Sequence, residues 1–133
     1  MSKSIAVFGA GPGLGQVVAR RYAREGYAIT LVGRRRPPLD QLAAKHQRRR
    51  DRALITADLA DTAAIPALAG RIRAAAGHLD AFYYAPTPED GFVAAADLSP
   101  ERAGPFMPLI FYTMLALVQE FLPPCWSGAT ARS

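Results

Sequence analysis

Four glycines near the amino terminus are the first residues in this chain whose spacing could serve chemistry. Gly9, Gly11, Gly13 and Gly15 follow directly on the apolar run from Ile5 to Phe8. A glycine turn between a buried strand and a helix lets backbone N–H groups and the positive end of the helix dipole approach a phosphate. Side chains would keep the backbone away from a pyrophosphate, and such turns can require a positive φ. The pattern therefore predicts a dinucleotide phosphate site.

The spacing of these glycines distinguishes between two versions of such a turn. In the common pattern G-x-G-x-x-G, counted from Gly9, the third glycine would fall on Leu14, so that pattern does not fit. The pattern G-x-x-x-G-x-G fits, with Gly9, Gly13 and Gly15 as its glycines. A tight strand-to-helix turn that binds no ligand is the alternative explanation, because a glycine cluster alone is a weak signal.

A second candidate group follows the next apolar run, from Ala28 to Val32, where Gly33 leads into Arg34, Arg35 and Arg36. In a dinucleotide site the end of the second strand meets the adenosine ribose. An acidic residue there binds the 2′-hydroxyl of NAD, whereas a basic residue suits the 2′-phosphate of NADP. No acid is present, and an arginine can hold a phosphate with paired hydrogen bonds. The sequence favours NADP bound by Arg34 with help from Arg35; a solvated loop is the alternative.

The elements that would position these residues alternate strictly along the chain. We predict strands over residues 5–8, 28–32, 53–57 and 79–84, and helices over residues 16–24, 39–50, 62–76 and 99–122. Pro37 and Pro38 are expected to break the chain before the second helix, Gly77 to end the third, and Ser99 with Pro100 to begin the fourth. The alternation is typical of the first half of a doubly wound α/β domain with a parallel sheet.

With this glycine spacing and element order, the chain resembles the short-chain dehydrogenase/reductase family over residues 3 to about 124. The resemblance implies a Rossmann-type sheet of about four strands, incomplete relative to the family. In the family an aspartate that selects NAD stands at the position of Gly33, and NADP-using members carry a basic residue at the position of Arg34. The resemblance implies a cofactor site made of Gly9, Gly11, Gly13, Leu14, Gly15, Arg34, Arg35, Asp58, Leu59 and Ala85.

Asp58 has more than one possible role. In the family an aspartate followed by an apolar residue at this position contacts the adenine, and here Asp58 precedes Leu59. An acid at this place can equally serve the turn or cap the helix that follows, and Asp61 could be the cap instead.

The chain departs from the family where the chemistry would be. Tyr83-Tyr84-Ala85-Pro86 replaces the usual Asn-Asn-Ala-Gly, and Ile110 occupies the position of an active-site asparagine. The family's catalytic serine follows a fifth strand, and its Tyr-x-x-x-Lys is absent here because Lys3 and Lys45 are the only lysines. Hydride transfer to a carbonyl needs a proton source. We therefore assign no catalytic residue and interpret Tyr84 as a packing residue.

Composition adds expectations about class and location. The 133 residues suffice for one domain, and much of the net charge of +5 lies in two arginine clusters. The second cluster, in residues 45–50, has no interleaved aromatic residues, so it is interpreted as a solvated helix end rather than a nucleic-acid site. Cys125 is the only cysteine, which fits a reducing cytoplasm. No metal site is predicted, and the apolar stretch 106–118 is shorter than the about 20 residues that span a bilayer.

Residues 125–133 show neither periodicity nor a capping signal. Back-translated with GC-rich codons and shifted by one nucleotide, this tail can give Leu-Glu-Arg-Gly-Asp-Gly-Ala-Ile, which is how family members continue. We hypothesise a cofactor-binding domain over residues 1–124 and a frameshift near codon 124. Genomic sequence with no such continuation in another frame would overturn this hypothesis.

The sequence leaves two functions open. The first is an NADP(H)-binding oxidoreductase domain, inactive as written, whose substrate would be a small carbonyl or alcohol if a catalytic half exists. The second is a non-catalytic nucleotide-binding or protein-interaction module that self-associates through the helix at 99–122 and the edge of the fourth strand. Because unpaired strand edges beside apolar surface favour association, a homo-oligomer is expected in either case.

Overall fold

The apolar runs of the sequence form one four-stranded parallel sheet in the computed structural model, which describes residues 3–10, 13–44, 52–88 and 93–122. The strands are β1 (Ser4–Phe8), β2 (Ala28–Gly33), β3 (Arg52–Thr56) and β4 (Ala81–Tyr84). Their spatial order is β3-β2-β1-β4. Each strand lies within two residues of its predicted bounds, so the predicted doubly wound α/β class is confirmed.

The helices described are α1 (Leu14–Arg24), α2 (Arg36–Ala44), α3 (Ile65–Ala76), α4 (Pro100–Ala103) and α5 (Thr113–Phe121). Single 3₁₀ turns cover Thr62–Ala64, Ala95–Asp97 and Gly104–Phe106, and a π-helix covers Pro108–Tyr112. As predicted, Gly77 ends α3, with a φ of 78° and its N–H on the carbonyl of Arg73.

The two faces of the sheet carry separate buried clusters. Ile5 and Val7 of β1 pack with α1 and α2, whereas Ala6 and Phe8 pack with α3 and α5. Crossovers between parallel strands are right-handed. Because β4 is added on the other side of β1 from β2 and β3, α3 lies on the opposite face of the sheet from α1 and α2. All five residues of β1 are buried, which explains why this strand reads as a continuous apolar run.

The expectation that Pro37 and Pro38 break the chain before the second helix is wrong. Both lie in the first turn of α2, which begins at Arg36. The first N–H groups of a helix have no intrahelical partner, so a proline there loses nothing and its fixed φ suits the helix. The predicted end of this helix, over residues 45–50, lies outside the described residues.

The prediction of one continuous helix over 99–122 is also wrong. Ser99 does cap its start, since its Oγ accepts a hydrogen bond from the Arg102 N–H at 3.2 Å. The segment then divides into α4, a 3₁₀ turn that contains Pro105, the π-helix that begins at Pro108, and α5. Proline has no N–H to continue the α-helical ladder, so the hydrogen-bond register changes at each of these prolines.

Two hydroxyl groups attach this broken segment to the sheet. The Tyr84 hydroxyl, at the end of β4, donates to the carbonyl oxygen of Leu109. The hydroxyl of Thr113, which is fully buried, donates to the carbonyl of Leu59 at 2.6 Å. The loop after β3 and the end of β4 are therefore both held by the same helical segment.

Burial raises the pKa of Tyr84 from 10.0 to about 12. The folded protein thus holds this proton more tightly than the unfolded chain, so its contribution to stability is present below pH 10 and is lost as the pH rises through about 12. We expect Tyr84→Phe to cost about 1 kcal/mol at neutral pH, through the lost hydrogen bond, and to flatten the decline above pH 10.

Urea unfolding at a series of alkaline pH values measures this effect. Tyr112→Phe, which alters an exposed tyrosine of the π-helix, is the control. An alkaline decline of equal slope in the parent and in Tyr84→Phe would contradict the assignment.

Candidate functional site

The carboxyl ends of all four strands open onto one cleft of about 560 Å³. The order in which strands are added reverses between β1 and β4, since β2 and β3 lie on one side of β1 and β4 lies on the other. In open α/β sheets a ligand binds outside the carboxyl ends of the strands at such a switch point. The cleft is therefore the place where the topology expects a ligand.

Most of the residues predicted for the cofactor site line this cleft. They come from the ends of four different strands and the start of α1: Gly9, Leu14, Gly15, Arg34, Arg35, Asp58, Leu59 and Ala85. Gly13 is the N-cap of α1 and is not part of the lining. Gly11 lies outside the described residues.

Gly9 is required by its surroundings as well as by its backbone. Its φ is +80°, and a Cβ there would lie 2.7 Å from the carbonyl carbon and oxygen of Ala85 and from the Cα of Pro86. The N–H groups of Gly9 and Ala10 donate to the carbonyl of Val32 at 3.0 and 3.2 Å. The loop after β1 is thus held between the ends of β4 and β2.

The other two glycines of the pattern shape the start of α1. Gly13 has a φ of +120° with open space where a Cβ would be, so its backbone requires glycine while its surroundings remain accessible. A Cβ on Gly15 would lie 3.1 Å from the Gly9 carbonyl oxygen, so the helix packs closely on the preceding loop. No side chain caps α1 and its first turn holds no acid, so no carboxylate of that turn competes for an anion.

The side chains at the end of β2 give this edge of the cleft its positive charge. Arg34 and Arg35 are both exposed and both line the cleft. Arg36 is not part of the lining; its Nε pairs with Asp40 Oδ1 at 3.0 Å, one turn along α2. Two of the three consecutive arginines thus line the cleft, and the third lies outside it.

Asp58 has a structural role in the loop after β3. Its Oδ1 accepts a hydrogen bond from the Ala60 N–H at 3.0 Å, and its carbonyl accepts one from Asp61 at 3.1 Å. This is the turn role that the sequence left open. Asp61 is the N-cap of the 3₁₀ turn but makes no side-chain capping bond. Because Asp58 also lines the cleft, the turn fixes a carboxylate at the edge of the site.

Several lining residues were not predicted: Ala10, Gly33, Pro38, Ala57, Ala60, Pro86, Thr87 and Leu109. Five of them lie within three residues of a strand end, so the convergence of parallel strands was a signal that could have found them: Ala10, Gly33, Ala57, Pro86 and Thr87. Leu109 carries no such signal, because the Tyr84 hydrogen bond and the π-helix bring it to the cleft.

The cleft has the groups for binding an anion but few for acid–base chemistry. Among the described residues, Asp58 is the one carboxylate in the lining, and the Tyr84 hydroxyl donates to the Leu109 carbonyl. Over the described ranges no three histidine, cysteine or acidic side chains come together as metal ligands. None of the helices in the described part combines the length and apolar character needed to cross a bilayer.

The sequence model of the short chain dehydrogenase family matches residues 3–131 of this chain. No curated protein sequence matches it significantly. A short-chain dehydrogenase from Streptomyces avermitilis is structurally similar, with 22% identity, a TM-score of 0.79, and coverage of 92% of this chain and 44% of that one.

Two similar solved structures contain a nicotinamide cofactor. L-sorbose reductase from Gluconobacter frateurii, complexed with NADPH and L-sorbose, has 21% identity, a TM-score of 0.73, and coverage of 91% of this chain and 47% of that one. A 3-ketoacyl-(acyl-carrier-protein) reductase from Brucella melitensis, complexed with NADH, has 19% identity, a TM-score of 0.76, and coverage of 91% and 49%. At these identities the likeness is one of fold, and this chain spans about half the length of those proteins.

The close approach at Gly9 predicts a large effect of a single methyl group. Gly9→Ala should destabilise the protein by about 3 kcal/mol or more, because positive-φ strain adds to overlap with backbone that cannot rotate away. Gly70→Ala is the matched control: Gly70 is exposed in the middle of α3 with open space around it, so alanine should gain about 0.5–1 kcal/mol there. Urea unfolding measures both, and a Gly9→Ala protein as stable as the parent would refute the contact.

Proposed function

The chain belongs to the short-chain dehydrogenase family, and from this premise we propose that residues 1–124 form the NADP(H)-binding domain of an oxidoreductase. The resemblance inferred from the glycine spacing is confirmed by the family match over residues 3–131. That match does not favour the alternative of a non-catalytic interaction module.

One observation carries the proposal: the glycine loop and the arginine pair, 19 to 26 residues apart in the sequence, line the same cleft. A tight turn without a ligand would explain the glycines but not the two exposed arginines beside them. A solvated loop would explain the arginines but not their position on the glycine-lined cleft. A dinucleotide whose adenosine ribose carries a pyrophosphate at the 5′ position and a phosphate at the 2′ position explains both.

The residues present fit such a cofactor. The accessible, uncapped start of α1 suits the pyrophosphate, since backbone N–H groups and the helix dipole favour negative charge there. Arg34, with Arg35, would hold the 2′-phosphate, and Asp58 with Leu59 would border the adenine. When bound, the cofactor supplies hydride transfer; the chain's own residues bind, orient and neutralise it.

The preference for NADP over NAD depends on the end of β2. Gly33 provides no carboxylate for a ribose 2′-hydroxyl, and the next two residues are cationic. A carboxylate there would repel a 2′-phosphate, whereas a guanidinium attracts it with paired hydrogen bonds. The similar solved structures include one NADPH complex and one NADH complex, so this preference is supported by Arg34 and Arg35 rather than by the neighbours.

We propose that these 133 residues bind the cofactor without turning over a substrate. The sequence contains no Tyr-x-x-x-Lys, and the Tyr84 hydroxyl already donates to a backbone carbonyl. A protein with a full catalytic half would act on a small carbonyl or alcohol. The lone Cys125 supports a cytoplasmic location.

The cofactor assignment is tested by titrating the protein with NADPH and NADH and following the nicotinamide fluorescence. The parent should bind NADPH more tightly, and Arg34→Ala should lose at least about tenfold in NADPH affinity with little change for NADH, since one charge-assisted contact is worth roughly 1.5–3 kcal/mol.

Arg36→Ala is the matched control for this titration. It removes a neighbouring arginine that pairs with Asp40 and does not line the cleft, so the affinity ratio should stay as in the parent. An Arg34→Ala protein with the parent's ratio would withdraw the 2′-phosphate assignment, and a parent that binds neither cofactor would withdraw the proposed function.

Self-association is a further part of the proposal. Ile110, Phe111, Tyr112 and Leu115 are each 43–52% exposed, a large apolar surface on one helical segment. In the described part of the chain β4 pairs with β1 alone, so its outer edge is open. We expect light scattering to show an oligomer whose mass falls in Phe111→Glu but not in Leu98→Glu, an exposed leucine outside that segment. A parent that stays monomeric at high concentration would rule this out.

A further inference from the structure

The wall of the cleft that follows β3 has a hydrogen-bonded support behind it. Four consecutive residues of this loop, residues 57–60, line the cleft. The carbonyl oxygen of Leu59, within that stretch, accepts a hydrogen bond from the Thr113 hydroxyl at 2.6 Å. Leu59 is 5% exposed and Thr113 is fully buried, so little water reaches this bond. Thr113 is not among the described residues of the lining, so it supports the wall from behind.

A second hydroxyl extends this support. Oγ1 of Thr62 lies 3.1 Å from Oγ1 of Thr113. A threonine hydroxyl carries one proton, and that of Thr113 is directed to the Leu59 carbonyl, so Thr62 is the donor in the second bond. Hydrogen bonds in series polarise one another, which strengthens the bond to Leu59. The loop and the 3₁₀ turn that follows it are therefore tied to one side chain of α5.

The other hydrogen bonds of the loop hold it to β2 or to itself. The N–H of Ala57 donates to the carbonyl of Gly33 at 2.9 Å, and Asp58 accepts from the N–H groups of Ala60 and Asp61. The bond from Thr113 is of a different kind, because it ties the loop to the helical segment that follows β4.

That helical segment also carries a lining residue of its own. Leu109 lines the cleft and lies in the π-helix Pro108–Tyr112, and Thr113 is the first residue of α5 directly after it. At the end of β4 the Tyr84 hydroxyl donates to the Leu109 carbonyl. One short segment is thus attached to β4 at one end and to the loop after β3 at the other. Two hydroxyl groups therefore set the distance between the lining residues Leu59 and Leu109.

We propose that Thr113, supported by Thr62, is a positioning residue for the ligand cleft, which holds the loop after β3 in the place where it borders the ligand. The inference rests on the proposed function, in which Asp58 and Leu59 border the adenine, and adds to it a group that acts through the Leu59 carbonyl. Fixing this wall before binding favours affinity, because a loop that must be ordered on binding costs free energy.

The test removes the hydroxyl and keeps the shape of the side chain. In Thr113→Val the Leu59 carbonyl loses its donor and Thr62 loses its acceptor. NADPH should bind roughly fivefold more weakly, measured by nicotinamide fluorescence at a temperature where every variant is fully folded. Amide hydrogen exchange at Ala60 and Asp61 should become roughly fivefold faster, because the loop opens more easily.

Ser4→Ala is the matched control. The Ser4 hydroxyl is also buried and also donates to a backbone carbonyl, that of His78, but it lies at the amino end of β1, the opposite edge of the sheet from the cleft. Thr113→Val and Ser4→Ala should each lower the midpoint of thermal unfolding by about 4 °C, yet Ser4→Ala should bind NADPH as the parent does.

Thr113→Ser separates positioning from stability. It keeps the hydroxyl and loses a buried methyl group, so it should lose thermal stability but retain the parent's NADPH affinity and loop exchange. Should Thr113→Val not fold, Thr62→Val takes its place, since it removes only the outer bond of the chain. Loop exchange and NADPH affinity equal to the parent's in that variant would refute the proposal.

The outcomes separate this inference from the proposed function. If Thr113→Val loses stability but keeps the parent's NADPH affinity, the hydroxyl has a structural role alone, so the inference fails and the function stands. If Ser4→Ala or Thr113→Ser weakens NADPH binding as much as Thr113→Val, affinity merely follows stability and the inference fails as well. If the parent does not bind NADPH, the function fails and the positioning role falls with it.

Discussion

The close contact between the glycine loop after β1 and the backbone after β4 is the constraint on which the site depends. Gly9 lies so near Ala85 and Pro86 that no side chain fits between them, and its N–H bonds to the end of β2. This contact brings the ends of three strands to one edge and aims the start of α1 across it. A parallel sheet alone would align the strand ends; the absence of a side chain at Gly9 lets them close into a cleft.

The strands could be predicted from the sequence because a strand that is buried on both faces consists of a run of apolar residues. The two incorrect predictions of helices concern segments that contain prolines. Pro37 and Pro38 were read as breakers, yet they sit where a helix has no hydrogen bonds to lose. The helix predicted over 99–122 includes Pro105 and Pro108, yet each shifts the hydrogen-bond register. Proline's effect depends on its position in a turn, which apolar periodicity does not reveal.

The candidate site was predictable where its residues act through the backbone or through charge. Glycines with a fixed spacing and arginines after a strand are local signals, and the structure brings them to one cleft. The contribution of Leu109 could not be foreseen. Leu109 reaches the cleft through a π-helix and a tyrosine hydroxyl. Its position depends on contacts between elements rather than on the order of residues.

The two ends of the cleft differ in the groups that they offer to a ligand. At the β2 end, the exposed Arg34 and Arg35 bring positive charge to the cleft, which favours an anionic ligand there. At the β4 end, Tyr84 is turned into a structural residue, because its proton is directed to the Leu109 carbonyl and burial raises its pKa to about 12. A hydroxyl held in this way is a poor proton donor near neutral pH. At the β4 end, this tyrosine thus serves to hold the π-helix on the sheet, and its buried hydroxyl is poorly suited to acid–base chemistry.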